Sequence, residues 1–234
     1  QEICEFTGAE ACVSVNSGST ALMLVYYYLQ QTHKQTLRIM TTPATYVATA
    51  NVAKFLGQEV SFADIDIDSY CLSPLSVRDS KDDFDVLSLV HLYGNAADVE
   101  LFQKFNPDKV IVEDCAQAFG TRIGGKHVGT TSFGCYSMFP TKNLSCAGDG
   151  GFILCQKDAY ESLIRLRDNG RFFSMDVGIA SGNFRLSEMQ AAVAREQLKK
   201  VPNQIARRHE IALKYNDAFK DLPGFSIPKY ADNV

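Results

Sequence analysis

Four segments of this chain carry side chains whose types and spacing could do chemistry together. Lys142 stands in Ser137-Met138-Phe139-Pro140-Thr141-Lys142-Asn143-Leu144, where a strand pattern gives way to a loop. An amine that forms a Schiff base must first lose its proton, and a buried place beside a cationic ring lowers its pKa. An arbitrary loop lysine, by contrast, is simply solvated. Asp114 ends the apolar run Val110-Ile111-Val112-Glu113. A carboxylate there faces the crevice of a parallel sheet and could keep a pyridine nitrogen protonated, which makes the ring an electron sink. A helix N-cap explains the same aspartate equally well. Asn16-Ser17-Gly18-Ser19-Thr20 follows a short strand and opens a helix. Free N–H groups and the helix dipole make such a turn a phosphate site, and Ser19 and Thr20 could add hydroxyls. Taken alone, capping is the simpler role for them. Tyr46 follows Pro43-Ala44-Thr45 and offers an aromatic face to a flat ring, although a core position also suits it.

The elements that must position these residues read as an alternation. Apolar runs predict strands over 12–15, 37–41, 59–63, 86–91, 109–112, 134–138 and 151–156. Helical spacing predicts helices over 19–31, 46–56, 99–105, 159–167, 186–199 and 202–219. Ser187 and Gln190 form a capping-box pattern at the start of one of them. Residues 122–128 read as a hairpin around Gly124-Gly125. Alternating strands and helices imply an α/β domain with a mostly parallel sheet, which binds ligands outside the carboxyl ends of its strands.

Composition removes several classes of function. A net charge of −4 favours neither a nucleic-acid backbone nor an anionic membrane surface. No apolar run approaches the ~20 residues that span a bilayer. The seven cysteines include no Cys-x-x-Cys pair, and the four histidines are scattered, so no zinc pattern is present. Buried, reduced thiols in a cytosolic protein are the expectation. The opening QEICEFTGAE is no signal peptide and reads as part of a helix, while the chain stops at Ala-Asp-Asn-Val with no closing element. Both ends read as those of a fragment. Gly120-Thr121-Arg122-Ile123-Gly124-Gly125-Lys126 nearly matches a P-loop, but His127 replaces the magnesium-binding hydroxyl and the segment reads as a hairpin. No Gly-x-Gly-x-x-Gly follows an early strand, and the sequon Asn143-Leu144-Ser145 is coincidence in a cytosolic chain.

The joint order of the segments is more specific than any one of them. NSGSTAL (16–22), TPATYVATANVAKFLG (42–57), FADIDIDSYCL (62–72), VHLYGNAADV (90–99), VEDCAQAFG (112–120), SMFPTKNLSCAGDGG (137–151) and NFRLSEMQAA (183–192) resemble blocks of the sugar aminotransferases of the DegT/DnrJ/StrS type. These are fold-type I pyridoxal-phosphate (PLP) enzymes. The resemblance implies a three-layer α/β/α large domain over 1–200, with 201–234 as a linker helix and the start of a small domain. It implies that Lys142 forms the internal aldimine and later shuttles a proton. Asp114 would bind the pyridine nitrogen, Gln117 the ring hydroxyl, and Tyr46 would stack on the ring. Gly18, Ser19, Thr20 and Ser137 would hold the phosphate. Asn183 would reach the phosphate of the neighbouring subunit, since the family's sites lie at a homodimer interface. The implied reaction moves an amino group from an amino acid, first of all L-glutamate, through pyridoxamine phosphate to a keto group on a nucleotide-linked deoxysugar.

One departure bears on the reaction. The first block reads Gly-Ser-Thr-Ala where many relatives have Gly-Thr-Ala-Ala. Gly-Ser followed by a small residue occurs in a dehydratase branch, which replaces the Schiff-base lysine with histidine. Here that position is Lys142, which favours amino transfer over dehydration. A non-catalytic regulator is the remaining alternative, and no helix-turn-helix pattern or basic patch supports it.

Overall fold

The computed structural model describes residues 1–171 and 176–230. The last four residues of the expected 201–234 segment therefore lie outside the described part. A seven-stranded sheet forms the centre, in the order β1-β9-β8-β5-β4-β2-β3. Its strands are β1 (Ala11–Val15), β2 (Arg38–Thr41), β3 (Glu59–Phe62), β4 (Val86–Val90), β5 (Val110–Asp114), β8 (Phe133–Ser137) and β9 (Gly151–Cys155). Only β9 runs against its neighbours, pairing antiparallel with both β1 and β8. The pairs among β2, β3, β4, β5 and β8 are parallel. The short hairpin of β6 (Arg122–Ile123) and β7 (Lys126–His127) stands apart, where the P-loop-like sequence lies.

Alternation along each strand explains the layers. Val13, Val15, Ile39, Val86, Val112, Cys135 and Ile153 pack with Leu22, Val25 and Leu29 of α2 (Gly18–His33) and Leu163 of α6 (Lys157–Arg167). On the other face, Met40, Leu87, Leu89 and Ile111 pack with Val77 of α4 (Pro74–Asp79) and with Val99 and Phe102 of α5 (Val99–Phe105). Tyr136 stacks on Phe152, ring centroids 4.5 Å apart, in a third cluster under Val201. A sheet covered on both faces needs apolar residues at consecutive positions, which is why β4 and β9 are buried throughout.

The helix starts follow from capping. Ser17 Oγ accepts from Thr20 N–H at 3.0 Å and begins α2. Ser187 does the same for α7 (Glu188–Leu198) through Gln190 N–H, as the capping box predicts. The opening segment forms α1 (Glu2–Thr7), the helix expected there. Two differences from the sequence reading matter. α3 spans Ala48–Phe55, so Tyr46 precedes this helix rather than opening it. The six-residue α4 and a 3-10 turn at Leu92–Gly94 are too short for periodicity to reveal. After α7 the chain continues into α8 (Val201–Phe219), in which only Val201 is buried. No helix among the described residues is long and apolar enough to cross a membrane.

Candidate active site

The strands deliver their ends to one edge. Val15 pairs with Gly151, and Gly151 pairs with Ser137, so the last residues of β1 and β8 stand level with the first of β9. Asp114, the last residue of β5, pairs with Cys135, two residues short of that line. A cavity of ≈ 390 Å³ opens at this edge, lined by Gly18, Ser19, Tyr46, Asp114, Gln117, Ser137 and Lys142 among others. Residues from the four segments singled out in the sequence thus share one space. Ser17, Thr45, Phe139 and Asp149 line it too, and the sequence assigns none of them a role there.

The glycine turn owes its shape to close backbone approach. A Cβ on Gly18 would lie 2.7 Å from Ser137 Cβ, and one on Gly151 would lie 2.5 Å from the carbonyl carbon of Ser17. Only glycine lets the start of α2 sit this tightly against β8 and β9. Helix geometry leaves the first N–H groups of α2 without intrahelical partners. Ser17 Oγ takes the one on Thr20, and Gly18 and Ser19 meet the cavity. Thr20 does not line it. Its hydroxyl folds back to Asn16 Oδ1 at 2.7 Å and lies 2.9 Å from Ser17 Oγ.

Asp114 is 6% exposed. Burial pushes its carboxyl above the usual range, and hydrogen bonds and nearby positive charge oppose that rise. Thr49 of α3 donates its hydroxyl to Oδ2 at 2.7 Å, Ala116 N–H donates to Oδ1 at 3.1 Å, and the charge of Lys142 acts from across the cavity. Thr49 is wholly buried, and no sequence signal separates it from any other helical threonine.

Lys142 is half-buried in the loop between β8 and β9. That loop is anchored on both sides of the lysine. Lys142 N–H donates to Phe139 O at 2.9 Å, Asn143 Nδ2 donates to Phe119 O at 2.9 Å, and Leu144 is sunk in the core. Arg208 of α8 holds Asn143 Oδ1, and Gln190 of α7 donates to Asp149 O at 2.6 Å. A loop pinned at this many points holds the backbone of Lys142 in one place beside the cavity.

Gln117 Oε1 accepts the Tyr93 N–H at 3.2 Å, and Tyr46 is 69% exposed at the mouth. Asn183 lies outside the cavity of its own chain. It is exposed and bridges to Asp168. One buried group, His91, Glu113 and Cys115, has ligand atoms within 4.8 Å of one another, but both ring nitrogens of His91 already have partners.

A mostly parallel, doubly covered sheet with a lysine, a buried aspartate and a glycine-opened helix at its ligand edge defines the large domain of a fold-type I transferase. The chain belongs to the DegT/DnrJ/EryC1/StrS aminotransferase family, whose model matches residues 1–234. It is 30% identical over 245 residues to the UDP-4-amino-4,6-dideoxy-N-acetyl-beta-L-altrosamine transaminase of Campylobacter jejuni, covering 99% of this chain and 64% of that protein. It is 31% identical over 234 residues to the UDP-2-acetamido-2-deoxy-3-oxo-D-glucuronate aminotransferase of Pseudomonas aeruginosa, covering 97% and 64%. Among solved structures, S. venezuelae DesV in complex with a ketimine intermediate superposes with a TM-score of 0.93 at 31% identity, over 99% of this chain and 63% of that one. The chain thus spans just under two thirds of the length of these relatives.

Proposed function

We propose that this chain is the cofactor-binding core of a PLP-dependent aminotransferase that moves an amino group, from L-glutamate in the first instance, to a keto group of a nucleotide-linked deoxysugar. The observation that carries this reading is the meeting of Lys142, Asp114, Gly18 and Ser19 in one cavity. The substrate class draws on the two transaminases above, both named for UDP-linked sugars.

The residues present suit the cofactor on their own terms. Gly18 and Ser19 open α2 at the cavity, where the first N–H groups of a helix lack intrahelical partners and suit a bound phosphate. Burial raises the pKa of the Asp114 carboxyl, and a protonated ring nitrogen beside it would offset that penalty. When bound, PLP supplies an electron sink for negative charge at the amine-bearing carbon. In this reading Gly18, Ser19 and Ser137 hold the phosphate, Gln117 holds the ring hydroxyl, and Tyr46 covers the ring face. Asp114 keeps the ring nitrogen protonated. Lys142 tethers the cofactor and, once released, carries a proton between the substrate carbon and the cofactor.

Residues 1–200 form the large domain in this reading, and 201–234 lead towards a small one. The exposure of Asn183 suits a role in a homodimer with shared sites, where it reaches the partner's phosphate site. A cytoplasmic setting accords with seven free cysteines, several of whose thiols burial pushes up and so makes unreactive.

The test uses the protein expressed from its complete gene. Added PLP is expected to give a visible absorption band that Lys142→Ala abolishes. Incubation with keto-sugar and glutamate is expected to release 2-oxoglutarate. Loss of a sugar hydroxyl with no 2-oxoglutarate would put dehydration in its place, and a colourless wild type would leave a regulator.

A further inference from the structure

We infer that His91 and Glu113 are positioning residues for Asp114, a role that rests on the cofactor reading above. Alternation along β5 turns Glu113 and Asp114 to opposite faces of the sheet. Glu113 is completely buried. Its Oε2 accepts from Gly129 N–H at 2.7 Å and lies 2.9 Å from His91 Nε2. The other ring nitrogen of His91, Nδ1, accepts the Ala97 N–H at 3.0 Å. A ring nitrogen that accepts carries no hydrogen, so Nε2 holds it and donates to Glu113. The backbone N–H of His91 donates to the carbonyl of Asp114 at 3.1 Å. One histidine thus grips both members of the dipeptide, Glu113 through its ring and Asp114 through its main chain.

Stability alone does not call for this arrangement. Taking a carboxylate out of water costs free energy, and Glu113 Oε1 has no partner among the described residues. Apolar side chains of similar volume would hold the sheet as well. Hydrogen bonds add direction. Here they tie the residue after β4, the turn at 96–97, the end of β5 and the turn at 129 together through His91 and the Glu113 carboxylate. The geometry fixes where β5 stops, and so where the Asp114 carboxylate stands in the cavity. The turn at 129 leaves little room to slip, because a Cβ on Gly129 would lie 2.8 Å from Tyr136 Oη and 2.9 Å from Cys115 Sγ.

The test compares wild type, Glu113→Ala, Glu113→Gln, His91→Ala and, as a control, Asp114→Ala in the complete protein. Three quantities are read: the PLP dissociation constant, the wavelength of the bound cofactor's visible band, and the melting temperature without cofactor. Glu113→Ala and His91→Ala are expected to weaken PLP binding about tenfold and to move the band in the direction of Asp114→Ala. Glu113→Gln keeps an oxygen for the same two N–H donors and is expected to stay within about threefold of wild type. If Glu113→Ala does not fold, Glu113→Asp replaces it, with a carboxylate one methylene too short and the same expected shift. A lowered melting temperature with band and affinity unchanged would reduce the pair to a structural role and overturn the inference. So would a Glu113→Gln no better than Glu113→Ala. Wild type that binds no PLP removes the cofactor reading itself, whereas wild type that binds with all variants but Asp114→Ala alike removes only this inference.

Discussion

The hydroxyl of Thr49 sits 2.7 Å from Asp114 Oδ2, although the two residues are 65 positions apart in the chain. Both are buried, and the contact joins the first turns of α3 to the end of β5. It makes the carboxylate of Asp114 a property of two elements.

Replacing Thr49 by Val keeps the shape and removes the donor. Oδ2 then loses its hydrogen bond, and burial raises the carboxyl further. We expect PLP to bind about tenfold more weakly to Thr49→Val, while Thr49→Ser stays near wild type. A spectrophotometric titration with PLP checks this, and an unaltered Thr49→Val would show the hydroxyl to be idle.

The raised pKa of Asp114 has a sign in stability. Its folded carboxyl holds a proton more tightly than the unfolded one, because burial penalises the charge. Stability from this group is complete below the ordinary aspartate range, about pH 4, and is lost as pH rises through the folded value. Asp114→Asn is therefore expected to melt higher than wild type at neutral pH without cofactor, with the gap closing towards pH 4. The same variant is expected to lose tight PLP binding. Melting curves that stay parallel across this range would contradict the first half.

Gly18→Ala probes the close approach at the cavity floor. The added carbon must push Ser137 or the start of α2, since its separation from Ser137 Cβ would be 2.7 Å. Overpacking of this kind costs about 1–3 kcal/mol. Thermal or urea unfolding is expected to show that loss, and phosphate-ester binding is expected to weaken with it. An Ala variant with wild-type stability and PLP affinity would mean that the groove has slack.

His127, in the hairpin that imitates a P-loop, supplies a second pH test. Burial lowers its pKa from 6.5 to about 4. Its Nε2 accepts the Gly120 N–H at 2.9 Å, a bond that only an unprotonated Nε2 can make. A depressed histidine favours the unfolded chain as it titrates, so stability is lost as pH falls from 6.5 towards 4. The loss is roughly 3 kcal/mol at the lower end. His127→Gln offers an oxygen to Gly120 N–H and is expected to flatten the melting temperature in that window relative to wild type. An equal slope in both proteins would assign it to other groups.

Much of the fold was legible because its determinants are local. β4 reads as a buried strand from five apolar or small residues in a row, and α7 starts where Ser187 and Gln190 place it. Asp114 and Lys142 could be singled out because a strand end and a loop after a strand mark the ligand edge of such a sheet. Thr20 shows the limit. It looks the equal of Ser19 in the sequence, yet helix rotation turns its hydroxyl to Asn16 and away from the cavity. Thr49 shows the converse, a residue with no local mark that the packing of α3 against α2, β2 and β3 brings onto the carboxylate.

By itself the sequence determined which segments become strands and helices, and which residue types stand at their ends. It did so because hydrogen bonding and apolar periodicity act within a few residues of one another. The tertiary structure alone decided which of those residues share a cavity. It also decided that Asp114 is dry, that the Lys142 loop is pinned by α7 and α8, and that His91 engages Glu113. Desolvation and hydrogen-bond geometry depend on neighbours distant in the chain, and only the packed sheet brings those neighbours together.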